Sequence, residues 1–515
     1  MKKYLLIAMI FLSHQLLAQI PEDAARYSFF PQNGTARSLA IGGALGSLGG
    51  DINSIFVNPA GLGNYKTGEV VFTPGFLLNN NKSSFRDSTF KNTKNAFNIG
   101  TIGIVYGTPH SNNSKSSQAV SLAFTQIASY NNTVQYKGLN NYSSFSEQWA
   151  EQAAKSGKTI DQLLNDKTNA YGTSLGLYNF LVDTVRVNDS TVNIVAMPEN
   201  VLAIGNALLQ EKTIETKGGL YEFAIGYASN KNDKLLMGAS LGIPILNYSN
   251  NTTFKETDTS SNKNNGFNYF TYQDNYKTTG AGLNVRLGLI YKPSASWRLG
   301  VALQSPTYLF SVTEKRTATL ASDVEDRRGL QTVSSNIFNN NQQGEYKYSM
   351  LNPWRLMVSG SYVFREVENV KRQRGFITAD IEYVNHRSGR FYSANERPAD
   401  EELNYYKNLN KVVKGYYKGN FNFRLGGELK FNTIMVRAGA AYYTNPYKDA
   451  ALKANRFLLS GGLGYRHKGF FIDLTYIHSF NKDVDFAYRL QDKANTFATI
   501  DTQRGNIVAS VGVKF

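Results

Sequence analysis

The chain holds five histidines and no cysteine, which limits nucleophilic and metal chemistry at once. His14 lies in an apolar leader, His110 and His467 in expected turns, and His386 at an expected strand rim. His478 is in phase with Leu474, Tyr476 and Phe480 on an apolar strand face. None is placed beside a serine on a neighbouring polar face, as a hydrolytic Ser–His couple requires. No His/Asp/Glu set has metal spacing, so neither an enzyme nor a cofactor is expected. The charges that remain are Arg286, Arg355, Asp380, Glu382, Arg424, Glu428, Lys430 and Asp473. They fall on the polar faces of expected strands, with both signs on neighbours. Such a set either pairs internally and anchors polypeptide inside the fold, or tunes the passage of ions.

The elements that carry these charges alternate at period 2. In 421–431, Phe421, Phe423, Leu425, Leu429 and Phe431 oppose Asn422, Arg424, Glu428 and Lys430. Trp354, Leu356, Val358, Tyr362 and Phe364 oppose Arg355, Ser359 and Ser361, and Trp297, Leu299, Val301 and Leu303 oppose Arg298 and Gln304. Repeated alternation with aromatic ends is the texture of a transmembrane barrel wall, lipid-facing on one side and lumen-facing on the other. About fourteen such strands are expected, at 68–79, 97–107, 118–130, 218–229, 234–248, 276–292, 296–311, 346–365, 374–387, 418–431, 432–444, 456–467, 468–481 and 503–515. Connections after even-numbered strands are tight, as in 229–233. Those after odd-numbered strands are long and polar: 80–96, 131–217, 249–275, 312–345, 388–417 and 482–502. Helical pieces are expected in the largest, near Phe145–Leu164 and Glu199–Gln210. Pro74, Pro244 and Pro306 interrupt strands and mark candidate kinks in the wall, since each removes a ladder donor. The last strand keeps Ile507, Ala509, Val511, Val513 and the terminal Phe515 on one face. A lipid-side terminal aromatic is similar to the signal that bacterial barrel-assembly machinery reads.

Composition agrees. Residues 1–18 read as a signal peptide, with Lys2-Lys3, the apolar run Tyr4 to Leu12 and Leu16-Leu17-Ala18. The chain has 515 residues but no linker that divides it, with 32 Tyr, 31 Phe and only 18% charged residues. Mean hydropathy is −0.35, so the membrane reading rests on strands rather than on an apolar 20-mer. The formal charge of +16 accompanies no nucleic-acid motif, and scattered loop lysines or anionic lipid headgroups account for it. Ahead of the first strand, residues 34–63 read GTARSLAIGGALGSLGGDINSIFVNPAGLG, too apolar for a solvated linker and too rich in glycine for a helix or strand. Such a segment suits storage inside a barrel.

Taken with the barrel, this stretch resembles the N-terminal region of the FadL/TodX outer-membrane transporters of hydrophobic compounds, in the branch common in Bacteroidetes-type genomes. The matching residues are the small-residue run with Gly42, Gly43, Gly46, Gly49 and Gly50, then Asp51, then Asn58, Pro59, Ala60 and Gly61, the family's NPA motif. The resemblance implies a plug over about 19–66 inside a 14-stranded barrel of residues 67–515. It also implies an outer-membrane location with both termini periplasmic, and uptake of long-chain fatty acids or other apolar small molecules. Release would be sideways into the membrane, with a wall gap within Gln118–Tyr130. A carrier subunit of a type IX-like secretion system and a general porin are the alternatives.

Overall fold

The computed structural model describes residues 22–188, 191–325, 329–364 and 374–515; the signal peptide expected over residues 1–18 lies outside them. Twenty-one strand segments form one antiparallel sheet whose staves number fourteen. The sheet closes because the first stave (Gly68–Phe72, continued by Pro74–Phe85) pairs with the last (Phe497–Lys514), with Phe72 opposite Val511 and Gly75 opposite Val508. Closure removes the free edges that an open sheet would expose to lipid. Every stave expected from the alternation is present, and the faces are as expected. Phe421, Phe423, Leu425, Leu429 and Phe431 are exposed outward, while Asn422 and Arg424 are buried. A continuous outward band of such side chains is stable only against hydrocarbon. No helix of the described residues is long and apolar enough to cross a membrane, which says nothing of strands.

Several staves run well beyond the apolar band, and this shortens the expected long loops. Residues 80–96 are strand on both sides of a turn at Arg86-Asp87, and stave five reaches Asp258. In the long connection after the third stave, helices occupy Glu147–Ser156, Ile160–Asn165, Thr173–Tyr178 and Glu199–Ala203. The first two are separate because Gly157, at φ +66, ends the first. The segment expected over Glu199–Gln210 ends early, since Leu208 already belongs to stave four. A helix at Asp400–Tyr416 was not expected. Its apolar residues Tyr406, Leu409 and Val413 fall on one face of an otherwise polar segment, and that face is buried.

Residues 22–64 run through the lumen from the long-loop rim to the short-turn rim. At the first rim, Glu22 meets Arg489 at 2.6 Å. At the second, Gly68 donates to the Phe515 carbonyl at 2.8 Å. The described N-terminal end therefore lies in the half of the barrel away from the C-terminus.

Candidate functional site

The lumen is narrowed by direct packing of the N-terminal segment on the wall. Ser510 Oγ accepts from Ala36 N at 2.8 Å, Thr475 Oγ1 donates to Ala36 O at 2.7 Å, and Ser460 Oγ donates to Ala40 O at 3.0 Å. Farther round, Arg298 donates to Leu48 O at 2.8 Å, Ser240 to Ile55 O at 2.8 Å and Ser117 to Gly63 O at 2.8 Å. Lumen-facing wall glycines make this approach possible. A Cβ at Gly300 would meet Gly46, one at Gly426 would meet Ile41, and one at Gly238 would meet Pro59. Gly42 has φ +68 and passes over the Ala440 carbonyl; Gly49 has φ +64 and lies on Gly61. Gly43 borders Arg424 and Gln32, and Gly50 donates to the Gly61 carbonyl at 3.1 Å.

Asn58 is the hub of the NPA stretch. Its Nδ2 donates to Gly46 O at 2.6 Å and lies 3.3 Å from Leu289 O and 3.4 Å from Val301 O. Its Oδ1 accepts from Ala60 N at 3.2 Å and so caps the 3-10 turn Pro59–Asn64. Asp51 plays the same local role one turn earlier, accepting from Thr35 Oγ1 at 2.8 Å and Asn53 N at 2.9 Å.

Above this floor, between the segment and the wall, lies a cavity of about 70 Å³. Tyr27, Phe30, Phe56, Val57, Ile127, Leu220, Pro244, Leu303, Leu309 and Met357 give it apolar sides. Buried ion pairs stud them. Arg286 grips Glu222 with two bonds at 2.7 and 2.9 Å, and Arg424 meets Glu382 at 2.7 Å. Arg355 is held more loosely, 3.8 Å from Glu382, donating to Ser28 O at 2.6 Å and lying over the Phe30 ring at 5.1 Å. Three guanidiniums against two carboxylates leave the lining net cationic.

The residues singled out in sequence fall into two groups. Arg286, Arg355, Glu382 and Arg424 line the cavity. Asp380 lies nearby and accepts from Gly46 N at 3.1 Å. Glu428 and Asp473 sit nearer the short-turn rim, both bonded to Arg437 at 2.6 Å, and Lys430 is half-buried at that end. Sequence reasoning passed over Glu222 and Arg437, although alternation with Phe223 and Ile225, or with Ile434 and Val436, marks both as lumen-facing. His386, expected at a rim, is buried with Nδ1 3.2 Å from Ser28 Oγ.

The prolines coincide with breaks in the ladder. Pro74 follows the gap at Thr73, and Pro306 lies between Trp297–Gln304 and Tyr308–Asp323. Pro244 faces the cavity, where Ile243 and Pro244 lack partners in stave six. Pro353, not singled out in sequence, stands at the matching break of stave eight.

The widest interruption lies between the second and third staves. Pairing runs from His110 to Ile102 opposite Phe124 and then stops; among the described residues, Ser88–Ile99 pairs only with the first stave. Stave three bulges between Gln126 and Ala128 and turns inward, where Asn79 and Asn81 donate to Asn131 O (2.9 Å) and Thr133 O (2.5 Å). Amide side chains stand in for the missing rungs. Asn33 Nδ2 donates to Ile99 O at 2.9 Å and Gln126 O at 2.6 Å, and Gln126 Oε1 accepts from Ile99 N at 3.1 Å. Aromatic rings flank the seam outside: Phe76 with the 82% exposed Phe97 on one bank, and Phe124 with Phe223 on the other. Asn33 and Ile127 line the cavity, so cavity and seam adjoin.

At the long-loop rim the mouth is covered. Phe145, Trp149, Phe254, Phe270 and Tyr272 form an aromatic core there, beneath which Glu256 accepts from Phe145 N at 3.1 Å and Gln210 Nε2 at 2.7 Å. Burial raises the Glu256 carboxyl to about 7.

No family model and no curated protein matches this sequence. Solved structures do. A FadL homologue of Pseudomonas aeruginosa aligns at TM-score 0.55 and 13% identity over 94% of this chain and 99% of its own. The toluene transporter TodX of P. putida aligns at TM-score 0.53 and 14% identity over 94% and 99%. The toluene transporter TbuX of Ralstonia pickettii aligns at 0.50 and 14% over 95% and 100%. Over nearly its whole length, the chain has the barrel fold of the FadL/TodX hydrophobic-compound transporters.

Proposed function

We propose that this chain is a FadL/TodX-type transporter of the outer membrane, taking up apolar small molecules. In this reading the segment of residues 19–66 is a plug, and cargo moves from the covered mouth to the cavity and leaves through the seam beside Asn33. The observation that carries it is the lumen cavity adjoining a wall seam closed by side chains. Sideways exit suits an apolar solute, which gains about 25 cal/mol per Å² by staying out of water. The loosely held Arg355 over Phe30 favours cargo with an anionic head, such as a long-chain fatty acid, over a bare hydrocarbon. The packed lumen argues against a general porin, and nothing in the cavity favours a secretion carrier.

The test is mass spectrometry of an organic extract of the purified protein, paired with growth of a deletion strain on fatty acids or hydrocarbons. Bound apolar compound and impaired growth are expected. An empty extract together with unimpaired growth overturns the reading. Arg355→Met should weaken binding of a carboxylate-bearing probe roughly tenfold while sparing the matching alcohol, the loss of about one charge-assisted hydrogen bond.

A further inference from the structure

Among the described residues, the exposed charge of the short-turn rim is mainly positive. Lys115, Lys231, Lys234, Arg374, Lys468 and Lys514 are solvent-exposed there. Among the described residues the acids of this surface are engaged: half-buried Asp233 is taken by Lys66 at 3.2 Å, and buried Glu69 by Lys514 at 3.1 Å. Among the described residues, Lys115, Lys231, Lys234 and Lys468 have no carboxylate at ion-pair distance. At the opposite rim some cations are met by acids, as in Lys315–Glu345, Lys155–Asp492 and Lys493–Glu147.

The basic residues stand just past a ring of outward aromatics. Lys231 is four residues beyond the exposed Tyr227, Lys234 adjoins Leu235, which pairs with Tyr291, and Lys468 falls between Tyr465 and Phe470. At about 3.3 Å per residue, these residues stand roughly 3–13 Å past the rings along the strands. Aromatic belts sit at the headgroup boundary, which puts these cations at the depth of the lipid phosphates. Their distribution points the same way. Lys115 starts stave three, Lys231 and Lys234 flank the turn between staves four and five, Arg374 precedes stave nine, and Lys468 joins staves twelve and thirteen. A globular partner covers one side of a barrel, whereas annular lipid covers all of it.

We propose that the short-turn rim is a collar that binds anionic phospholipid headgroups of the leaflet it faces. The inference rests on the barrel spanning a membrane and is independent of the cargo.

The test uses the full mature chain in vesicles of phosphatidylcholine mixed with phosphatidylglycerol. Detergent extraction is followed by native mass spectrometry of the lipids retained, at low and high salt. Wild type should retain phosphatidylglycerol several-fold over its share of the mixture, and salt should erase the excess. A variant with Lys115, Lys231, Lys234 and Lys468 all changed to Gln should lose the enrichment while keeping the heat-modifiable mobility of a folded barrel. Enrichment that persists in the folded variant overturns the collar, as does its absence in wild type. Stable capture of an acidic periplasmic protein by wild type, without lipid enrichment, also overturns it. An empty cargo extract with unimpaired growth, beside lysine-dependent enrichment, would sink the transporter reading and leave the collar standing.

Discussion

Asn33, in the N-terminal segment, donates its side-chain amide to the main-chain carbonyl of Gln126, in the wall, at 2.6 Å. The bond crosses the seam where the second and third staves part beside the cavity, so the position of the segment and the closure of the seam are mechanically linked. Asn33→Ala removes this bond and its twin to Ile99 O. At about 1 kcal/mol each, their loss should shift any seam opening by roughly thirtyfold. Amide hydrogen exchange over 97–102 and 124–128 should quicken, with the opposite side of the barrel unchanged. Unchanged exchange there would dissociate segment from seam.

Asn58 should be the least tolerant residue of its stretch. Asn58→Ala deletes the bond to Gly46 O and the cap on Ala60 N, at a cost of about 1–3 kcal/mol in seating the segment. Gly288→Val should act alike from the other side, because its side chain would overlap Asn58 Oδ1. Both variants should raise ion conductance in planar bilayers without loss of the folded barrel. Wild-type conductance in both would show that these residues do not hold the lumen shut.

The Arg286–Glu222 pair is buried on both sides, with the two side chains 6% and 0% exposed. Arg286→Met alone leaves an uncompensated buried carboxylate and should cost about 3–5 kcal/mol. The double variant Arg286→Met with Glu222→Gln should recover most of that. Urea unfolding in detergent reads the difference, and equal losses in single and double variants would refute the pairing argument.

The cover over the mouth should be pH-sensitive. Glu256 lies about 35 Å of strand beyond Ile245, outside the apolar band, and burial raises its carboxyl from 4.5 to about 7. A raised acid favours the folded cover when protonated. Its contribution, roughly 3 kcal/mol, is complete below pH 4.5 and fades as pH rises through about 7. Limited proteolysis within 141–207 should therefore be faster at pH 8 than at pH 5. Glu256→Gln should flatten the dependence, and an unaltered profile in that variant would assign it elsewhere.

Strand number, facing and closure were legible in the sequence because period-2 alternation follows directly from one wet and one greasy side. The 421–431 segment could be assigned residue by residue on that ground alone. The Gly-rich run and its NPA ending suggested an insert stored in the lumen. Alternation stops at the edge of the lipid, however. Beyond it both faces of a strand are polar, so the hairpin over 80–96 read as loop, and the helix Asp400–Tyr416 was hidden in a segment rich in Asn, Lys and Tyr.

Partnerships across the lumen are the part that only tertiary structure decides. Nothing local in Asn33, Gln126 or Ile99 tells that side chains replace ladder bonds there, since the seam arises where a bulge turns the third stave inward. Wall glycines such as Gly238, Gly288 and Gly300 look like weak strand residues until the NPA stretch and Gly46 are laid on them. Sequence periodicity fixes which way each residue points; which residues then meet across the lumen depends on stagger, bulges and the path of the inserted chain, and these have no local signature.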